Sequence, residues 1–357
     1  MGPDGPGERR AASERAAQNA PRTAQNAPRT AQNAPRIAQN APRIAQLSPS
    51  MGQSCGIAVF ADSLAGALGA AGADVRTVAR VSSAVDADLV LVQHHDELIT
   101  DRELASVLRR VRQPTVIMAH SPGLAARKLG AAGVMAMAPG MLEADAELPT
   151  LIFPHPAFVS AAPGDRSAVR QRLRLPSDRK ILATCGFLRF ERQLPDILAR
   201  VLPGASALGW FVMLVTSPWR LPSPGLLHAI EAIGDRYPGS FRHRHEHLPE
   251  RVLNDYLRAS DLLWCWTRAH GAPYASGVIS QMYGSGTRIV AADRAAHEHV
   301  LRLPNVVRAP ATMDAFVTEL LRQMAEERTP AHDPAPVNWA RVAGQIVGFL
   351  SQFIERR

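Results

Sequence analysis

The sequence predicts an α/β fold of two doubly wound parallel sheets that face a cleft, preceded by a disordered repeat tail. Three observations support this prediction. Short apolar runs alternate with amphipathic segments along most of the chain, a proline-rich break divides them into two series, and a low-complexity repeat fills the N-terminus. Such alternation is typical of parallel sheets covered on both faces, and 357 residues suffice for two domains.

The N-terminal segment is a seven-residue repeat, in which AQNAPR recurs after Ala, Thr or Ile across residues 16–46. A heptad length would suit a coiled coil, but each full repeat contains a proline, which breaks a helix. Its apolar surface is also too small to offset the chain entropy. We interpret residues 1–41 as a low-complexity disordered segment, with a binding tail as the alternative, and expect the folded part to begin near Pro42.

The first alternating series predicts an N-terminal doubly wound domain over residues 42–155. Amphipathic segments at 57–71 and 102–111 are expected to form helices between its strands. The strand candidates are short apolar runs, at 44–48, 74–79, 88–93, 115–119, 134–138 and 151–153.

A proline-rich linker at 154–166 leads into the second series, which predicts a C-terminal domain over residues 156–335. A helix at 339–354, within a segment of residues 336–357, closes the chain and is expected to pack back on the first domain. Two such domains in tandem place their crevices face to face, which suits a two-part substrate. The strand candidates lie at 181–184, 211–216, 241–245, 262–266, 288–291 and 306–308.

Composition narrows the class of protein. Hydrophobic residues make up 46% and charged residues 20% of the chain, and no apolar run approaches the length of about 20 residues that spans a bilayer. The three cysteines form no CxxC pair, which predicts a cytoplasmic protein without a zinc signature or disulfide scaffold. Half of the net charge of +8 lies in the first 50 residues and the rest is scattered. We therefore expect no nucleic-acid partner and at most peripheral membrane contact.

Two strand-to-helix turns contain candidate ligand-binding residues. A glycine-containing turn ending at Gly56 and Ile57 follows the first strand, where a glycine lets the backbone approach a phosphate or sugar. In the second domain, residues 256–293 read as a strand, a polar loop, a helix that begins near Ser276 and Gly277, and another strand. The positive end of that helix predicts a phosphate site.

These segments, together with His120 at the end of PTVIMAH and the Gly186 and Arg192 spacing, resemble GT-B glycosyltransferases. The closest resemblance is to glycosyltransferase family 4 (glycosyl transferases group 1), over residues 42–354. It implies two Rossmann-like domains and a nucleotide-sugar donor. His120 would be the catalytic residue beside the transferred sugar. The donor-binding residues would be Gly56, Ile57, Gly186, Arg189, Arg192, Ser276, Gly277 and Gln281.

One family motif is altered in this chain. The family carries two glutamates on its last donor-site loop and helix, and alignment on the strand RIVAAD places Pro273 and Gln281 at those positions. A glutamine can still hydrogen-bond a ribose hydroxyl, but a proline cannot replace a carboxylate. Diphosphate binding is therefore expected, whereas turnover is open.

The resemblance implies a hexosyltransferase-like enzyme that moves a sugar to an acceptor hydroxyl with retention, without a metal or other cofactor. The acceptor would be a glycan, a lipid-linked sugar or a small molecule. The alternative is a catalytically degenerate GT-B fold that binds a glycan or a protein partner. A sugar-nucleotide epimerase is a further alternative, with Glu191 and Glu246 as the nearest carboxylates.

Two histidine groups require a separate interpretation. His243, His245 and His247 alternate, so on one strand all three would face one side and could bind zinc. We expect no metal there, because ligand identity without geometry is weak evidence. His297, Glu298 and His299 follow a strand, and we expect a solvated loop.

Overall fold

The first six-stranded sheet of the computed structural model is parallel throughout, with the strand order β2-β1-β3-β4-β5-β6. The structure describes residues 41–355 except 54, 81–85, 125, 127–128, 143–146, 160–164, 219–223, 269–273 and 327–336. Buried side chains occupy both faces of its central strands, as in a sheet covered by helices on both sides. The strands are β1 (Arg43–Leu47), β2 (Asp74–Val78), β3 (Leu89–His94), β4 (Thr115–Ala119), β5 (Gly133–Ala136) and β6 (Thr150–Ile152).

The second sheet has the same size and the order β12-β11-β10-β7-β8-β9, also with parallel pairing. Both sheets belong to one compact unit, Ala41–Arg357. Its strands are β7 (Ile181–Phe187), β8 (Phe211–Ser217), β9 (Phe241–His245), β10 (Leu262–Cys265), β11 (Ile289–Ala292) and β12 (Val306–Ala309).

Helices connect the strands and several begin at a side-chain cap. Thr100 and Glu103 form a reciprocal capping box at the start of the second helix, which satisfies N–H groups that the helix leaves unpaired. In the described part of the chain, no helix is long and apolar enough to cross a membrane. The helices are α1 (Gly56–Ala70), α2 (Asp101–Arg110), α3 (Arg166–Arg172), α4 (Leu194–Ala207), α5 (Pro224–Gly234), α6 (Glu250–Ala259), α7 (Gly277–Gly284), α8 (Glu298–Leu301), α9 (Met313–Ala325) and α10 (Trp339–Ile354).

The C-terminal helix α10 packs in the core of the first sheet, although it follows the second sheet in sequence. Its apolar face joins α1 and the strands of the first sheet in one buried cluster. The second sheet has a separate buried cluster on each face. A short parallel bridge between Ala157 and Asn338 ties the two crossings between the sheets together.

The α/β class and the position of all twelve strands are confirmed, with one notable shift of a strand end. We predicted that β7 ends at Thr184, but pairing with β8 continues to Phe187. Gly186 interrupts the apolar run in sequence, yet its backbone stays in the ladder. The interpretation of residues 1–41 as disordered concerns residues 1–40 almost entirely, and these lie outside the described residues.

Candidate functional site

The carboxyl ends of the two sheets face each other at the point where the predicted site residues lie. Gly56 is the first residue of α1, the helix that follows β1 of the first sheet. A Cβ built on Gly56 would lie 3.8 Å from the Phe187 ring at the end of β7. Gly56 is exposed and Ile57 is half-buried in the first turn of α1. The turns after β1 and β7, which both contain predicted donor-binding residues, are therefore close in space.

His120 lies immediately after β4 and is half-buried. Its Nε2 is 2.7 Å from the side-chain oxygen of Gln93, and its ring makes an edge contact with Phe60 at 4.9 Å between centroids. Burial, with smaller contributions from neighbouring histidines, lowers the pKa of His120 to about 3. The imidazole is therefore neutral at neutral pH, which suits a hydrogen-bonding group better than a proton donor.

His155 connects His120 to the start of helix α7. Its ring is 5.4 Å from the Phe60 ring, between centroids. Its Nδ1 is 2.8 Å from the carbonyl oxygen of Pro156, and its Nε2 would be 3.0 Å from a Cβ on Gly277. A side chain at Gly277 would crowd the ring and require it to shift. Burial lowers the pKa of His155 to about 4. The structure thus brings His120 and Gly277 to one place.

The sequence reasoning missed His155, since the residue lies between two prolines in a segment interpreted as a linker. A histidine between prolines is a weak signal. Only the contact with the glycine at the start of α7 identifies it.

Arg192 lies beneath the turn that ends β7. Its guanidinium donates to the Cys185 carbonyl oxygen and, at 3.1 Å, to Thr184 Oγ1, and the residue is 7% exposed. Gly186 has a φ of 125°, and a Cβ there would meet the Arg192 guanidinium and, at 2.8 Å, the side chain of Val278. The turn, the arginine and the first residues of α7 are therefore in contact. Arg192 forms no ion pair with a carboxylate in the described part of the chain.

Arg189 is more exposed and its Nε is 3.3 Å from Glu191 Oε2. Tyr274 lies near both arginines. Burial raises the pKa of this tyrosine, and the hydrogen bond to Thr267 and the two positive charges act in the opposite direction. Tyr274 was not predicted as a site residue, although it precedes the helix start by only a few positions.

Two residues predicted to contact the nucleotide-sugar donor make hydrogen bonds to other residues of the protein. The Ser276 N–H donates to the Ala296 carbonyl at 3.0 Å. At the start of α7 it is therefore Gly277, rather than Ser276, whose N–H bonds to no other described residue. The Gln281 side chain accepts from the Phe158 N–H at 3.4 Å and donates to Glu250. Pro273, predicted to replace the first motif glutamate, lies outside the described residues.

A buried cysteine and histidine lie beneath this edge of the second sheet. Cys265 Sγ is 3.5 Å from His297 Nε2, while His297 Nδ1 is 2.8 Å from the Ala292 carbonyl. Burial alone would raise the pKa of the Cys265 thiol, but His297 and Arg192 outweigh it and lower that pKa. His297 is buried rather than solvated, which corrects our expectation for this residue, whereas Glu298 is exposed.

The alternating histidines of β9 form a pair rather than a triad. His243 Nε2 and His245 Nδ1 both contact Thr216 Oγ1, at 2.8 and 2.7 Å. The strand ends at His245, so the prediction that His247 shares their face is wrong. Among the described residues, no group of three or more histidine, cysteine or acidic side chains is placed to hold a metal ion.

Comparison with protein family models finds no match, and neither does comparison with the sequences of curated proteins. Solved structures do match. Sucrose-phosphate synthase from Thermosynechococcus elongatus aligns with a TM-score of 0.66 and 14% identity, covering 88% of this chain and 100% of that one. A trehalose-phosphate synthase from Burkholderia xenovorans, solved with glucose-6-phosphate, gives 0.59 and 11%, covering 89% and 99%. HepE from Anabaena, solved with UDP and glucose, gives 0.58 and 17%, covering 88% and 99%.

These similarities define the class of fold. The two facing parallel sheets, the C-terminal helix that returns to the first sheet and the alignment over almost the whole of each neighbour identify a GT-B fold. At 11–17% identity the likeness extends to the fold alone.

Proposed function

We propose that this protein is a glycosyltransferase that transfers a sugar from a nucleotide-sugar donor to an acceptor hydroxyl, with retention and without a metal. The observation that carries the proposal is the buried Arg192 guanidinium, which has no carboxylate partner in the described chain and lies against Gly186 and Val278. A buried guanidinium with no carboxylate partner among the described residues is unfavourable alone, so an anionic ligand would stabilise it.

The diphosphate of the donor fits this surrounding. It would lie between Arg192, Arg189 and the N-terminal end of α7, where the Gly277 N–H and the helix dipole favour negative charge. As the bond to the sugar breaks, charge builds on the leaving phosphate, and pre-oriented guanidinium and N–H donors stabilise that charge.

The sugar would lie on the first sheet's side of the diphosphate, beside His120. The His120–Phe60–His155 ring contacts bring this residue towards Gly277. Gly56 and Ile57 would let the α1 backbone approach the donor closely. The acceptor hydroxyl would enter from the first domain.

A uridine nucleotide sugar is the first donor to test. HepE was solved in complex with UDP-glucose, and the Burkholderia xenovorans trehalose-phosphate synthase is described as UDP-forming and contains glucose-6-phosphate. We extend this donor to the present chain as part of the proposal, with a sugar or sugar phosphate as the acceptor.

The second candidate function is a catalytically degenerate GT-B fold that binds a glycan or a protein partner. Gln281 favours it, because both ends of its amide already bond within the protein and a ribose would have to compete with the Phe158 N–H and Glu250 for them. The two functions differ in turnover.

The test is thermal shift of the full chain with UDP, GDP, ADP and their sugar conjugates, followed by a donor-hydrolysis assay on any nucleotide that binds. Ligand at 100 times its Kd should stabilise the protein by about 2.7 kcal/mol. Arg192→Ala should weaken donor binding about tenfold, from loss of a charge-assisted hydrogen bond. Arg172→Ala, which removes an exposed ion pair with Asp255, is the matched control and should bind as wild type.

Donor binding with hydrolysis supports the transferase, and binding without turnover supports the degenerate alternative. Unchanged donor affinity in Arg192→Ala would remove this residue from the site. If no nucleotide shifts the melting temperature, the proposal fails.

A further inference from the structure

A series of hydrogen-bonded side chains crosses the first sheet and ends at His120. Thr77, Gln46 and Gln93 come from the adjacent strands β2, β1 and β3, and His120 follows β4. Gln46 and Gln93 are both 0% exposed. Buried amides cost free energy unless they are hydrogen-bonded, so two fully buried glutamines on central strands of the sheet require an explanation.

The donor and acceptor roles in this series of side chains can be assigned in only one way. Gln46 Nε2 is 2.8 Å from the Ala61 carbonyl oxygen, which can only accept, so the nitrogen end of the Gln46 amide is fixed there. The Gln46 side-chain oxygen must then accept from Gln93 Nε2, at 3.2 Å. This leaves the Gln93 side-chain oxygen as an acceptor.

His120 is the last member and its tautomer follows. The Gln93 oxygen lies 2.7 Å from His120 Nε2, so Nε2 must carry the proton. In a neutral imidazole the other nitrogen, Nδ1, is then a hydrogen-bond acceptor. Nδ1 of His120 bonds to no described residue. It is also not among the fully buried polar atoms that lack a hydrogen-bond partner.

We infer that Gln46 and Gln93 are positioning residues that hold His120 in its Nε2–H tautomer, so that Nδ1 selects a ligand group that donates a hydrogen bond. The chemical class is a hydroxyl of the transferred sugar, and a carboxylate or phosphoryl oxygen is disfavoured at this point. The substrate assignment rests on the proposed function. The tautomer itself does not.

The neighbouring rings agree with this assignment. The flanking Phe60 and His155 are uncharged at neutral pH, since burial lowers the pKa of His155 to about 4. Neither offers Nδ1 a positive charge that would attract an anion. A sugar hydroxyl is the donor that a nucleotide hexose would present there.

The first experiment measures the tautomer in the full chain by long-range ¹H–¹⁵N correlation of the histidine rings, with His120→Asn to assign its signals. Wild type should show His120 as Nε2–H. Gln93→Met, which keeps the volume and removes the acceptor, should give a mixture of the two tautomers. Gln46→Met should move the population in the same direction, because Gln93 is then free to turn over.

The matched control is Gln323→Met. Gln323 is another buried glutamine, on α9 in the core of the second sheet, and it should leave the His120 signals unchanged. An Nδ1–H tautomer in wild type, or an unchanged Nε2–H tautomer in both Gln93→Met and Gln46→Met, would overturn the positioning role. This outcome is independent of whether any donor binds.

The second experiment tests the class of ligand. Wild type should bind UDP-glucose about tenfold more tightly than UDP-glucuronate. A difference of this size corresponds to the loss of about one hydrogen bond. Gln93→Met should narrow this ratio and leave the affinity for UDP itself unchanged, since UDP lacks the transferred sugar. UDP-glucuronate differs from UDP-glucose only at C6, where a carboxylate replaces the hydroxyl group. Equal affinity for both in wild type would overturn the assignment of a 6-hydroxyl to Nδ1. Failure of UDP to bind at all would instead refute the proposed function.

Discussion

Glycines at the meeting points of the two sheets show how single residues shape the site. Gly186 and Gly277 leave room for Arg192 and His155, and Gly284 leaves room for the chain that crosses between the sheets. A methyl group would overlap neighbouring atoms at Gly186 and Gly284, and it would crowd the His155 ring at Gly277. The packing around α7 therefore depends on the absence of individual side chains.

Gly284 provides a test at the residue scale. A Cβ there would lie 2.7 Å from the Phe158 carbonyl oxygen and 2.8 Å from Ala157 Cβ, and backbone atoms cannot move aside easily. Gly284→Ala should therefore destabilise the protein by about 1–3 kcal/mol, as overpacking does. Urea unfolding measures this change.

Gly348→Ala is the matched control, because that glycine is also helical but has open space around its Cα. Alanine is the better helix former, so this variant should gain about 0.5–1 kcal/mol. Equal stability of Gly284→Ala and wild type would show that the crossing segment is free to shift.

At the scale of elements, helix α10 closes the core of the first sheet after the chain has built the second. Val342, Ile346 and Leu350 share a face with Phe349 and Phe353 in the same buried cluster as α1. The two phenylalanine rings meet edge to face at 5.2 Å between centroids. The first sheet is therefore incomplete without the last residues of the chain.

Ile346→Ala tests this dependence. Ile346 is 0% exposed, so its truncation should destabilise the protein by about 2–5 kcal/mol through lost burial and the cavity left behind. Gln345→Ala changes the neighbouring exposed residue and should stay within about 0.5 kcal/mol of wild type. Chemical unfolding measures both. A small cost at Ile346 would mean that α10 is only loosely attached to the first sheet.

The elements could be predicted from sequence because buried parallel strands are continuous apolar runs, and all twelve were found. Residues of the candidate site could be proposed only where a local pattern existed, as at Gly186 and at the start of α7. His155 escaped because its importance comes from contact with a residue more than a hundred positions away. The internal bonds of Gln281 escaped for the same reason, since sequence spacing does not reveal which partner an amide will find.

At the scale of the whole molecule, the junction between the sheets contains three histidines that the folded state keeps neutral. Burial lowers the pKa of His120 to about 3, of His155 to about 4 and of His299 to about 3. The carboxyl-edge loops of both sheets contribute to this group. Their lowered pKa values connect the candidate site to the stability of the protein in acid.

The expected consequence is a loss of stability as the pH falls from about 6.5 towards 4. In this range the unfolded state binds protons on these histidines and the folded state does not, so the free energy of unfolding decreases with falling pH. Each histidine contributes up to about 1.4 kcal/mol per pH unit.

Urea unfolding at pH 7, 6 and 5 measures how steeply the free energy of unfolding falls with pH. His155→Asn should flatten this slope, whereas His228→Asn, which changes an exposed histidine on α5, should leave it as in wild type. If His155→Asn and wild type lose stability with the same slope, His155 is already protonated in the folded protein and the junction is more open to water than the packing of its rings implies.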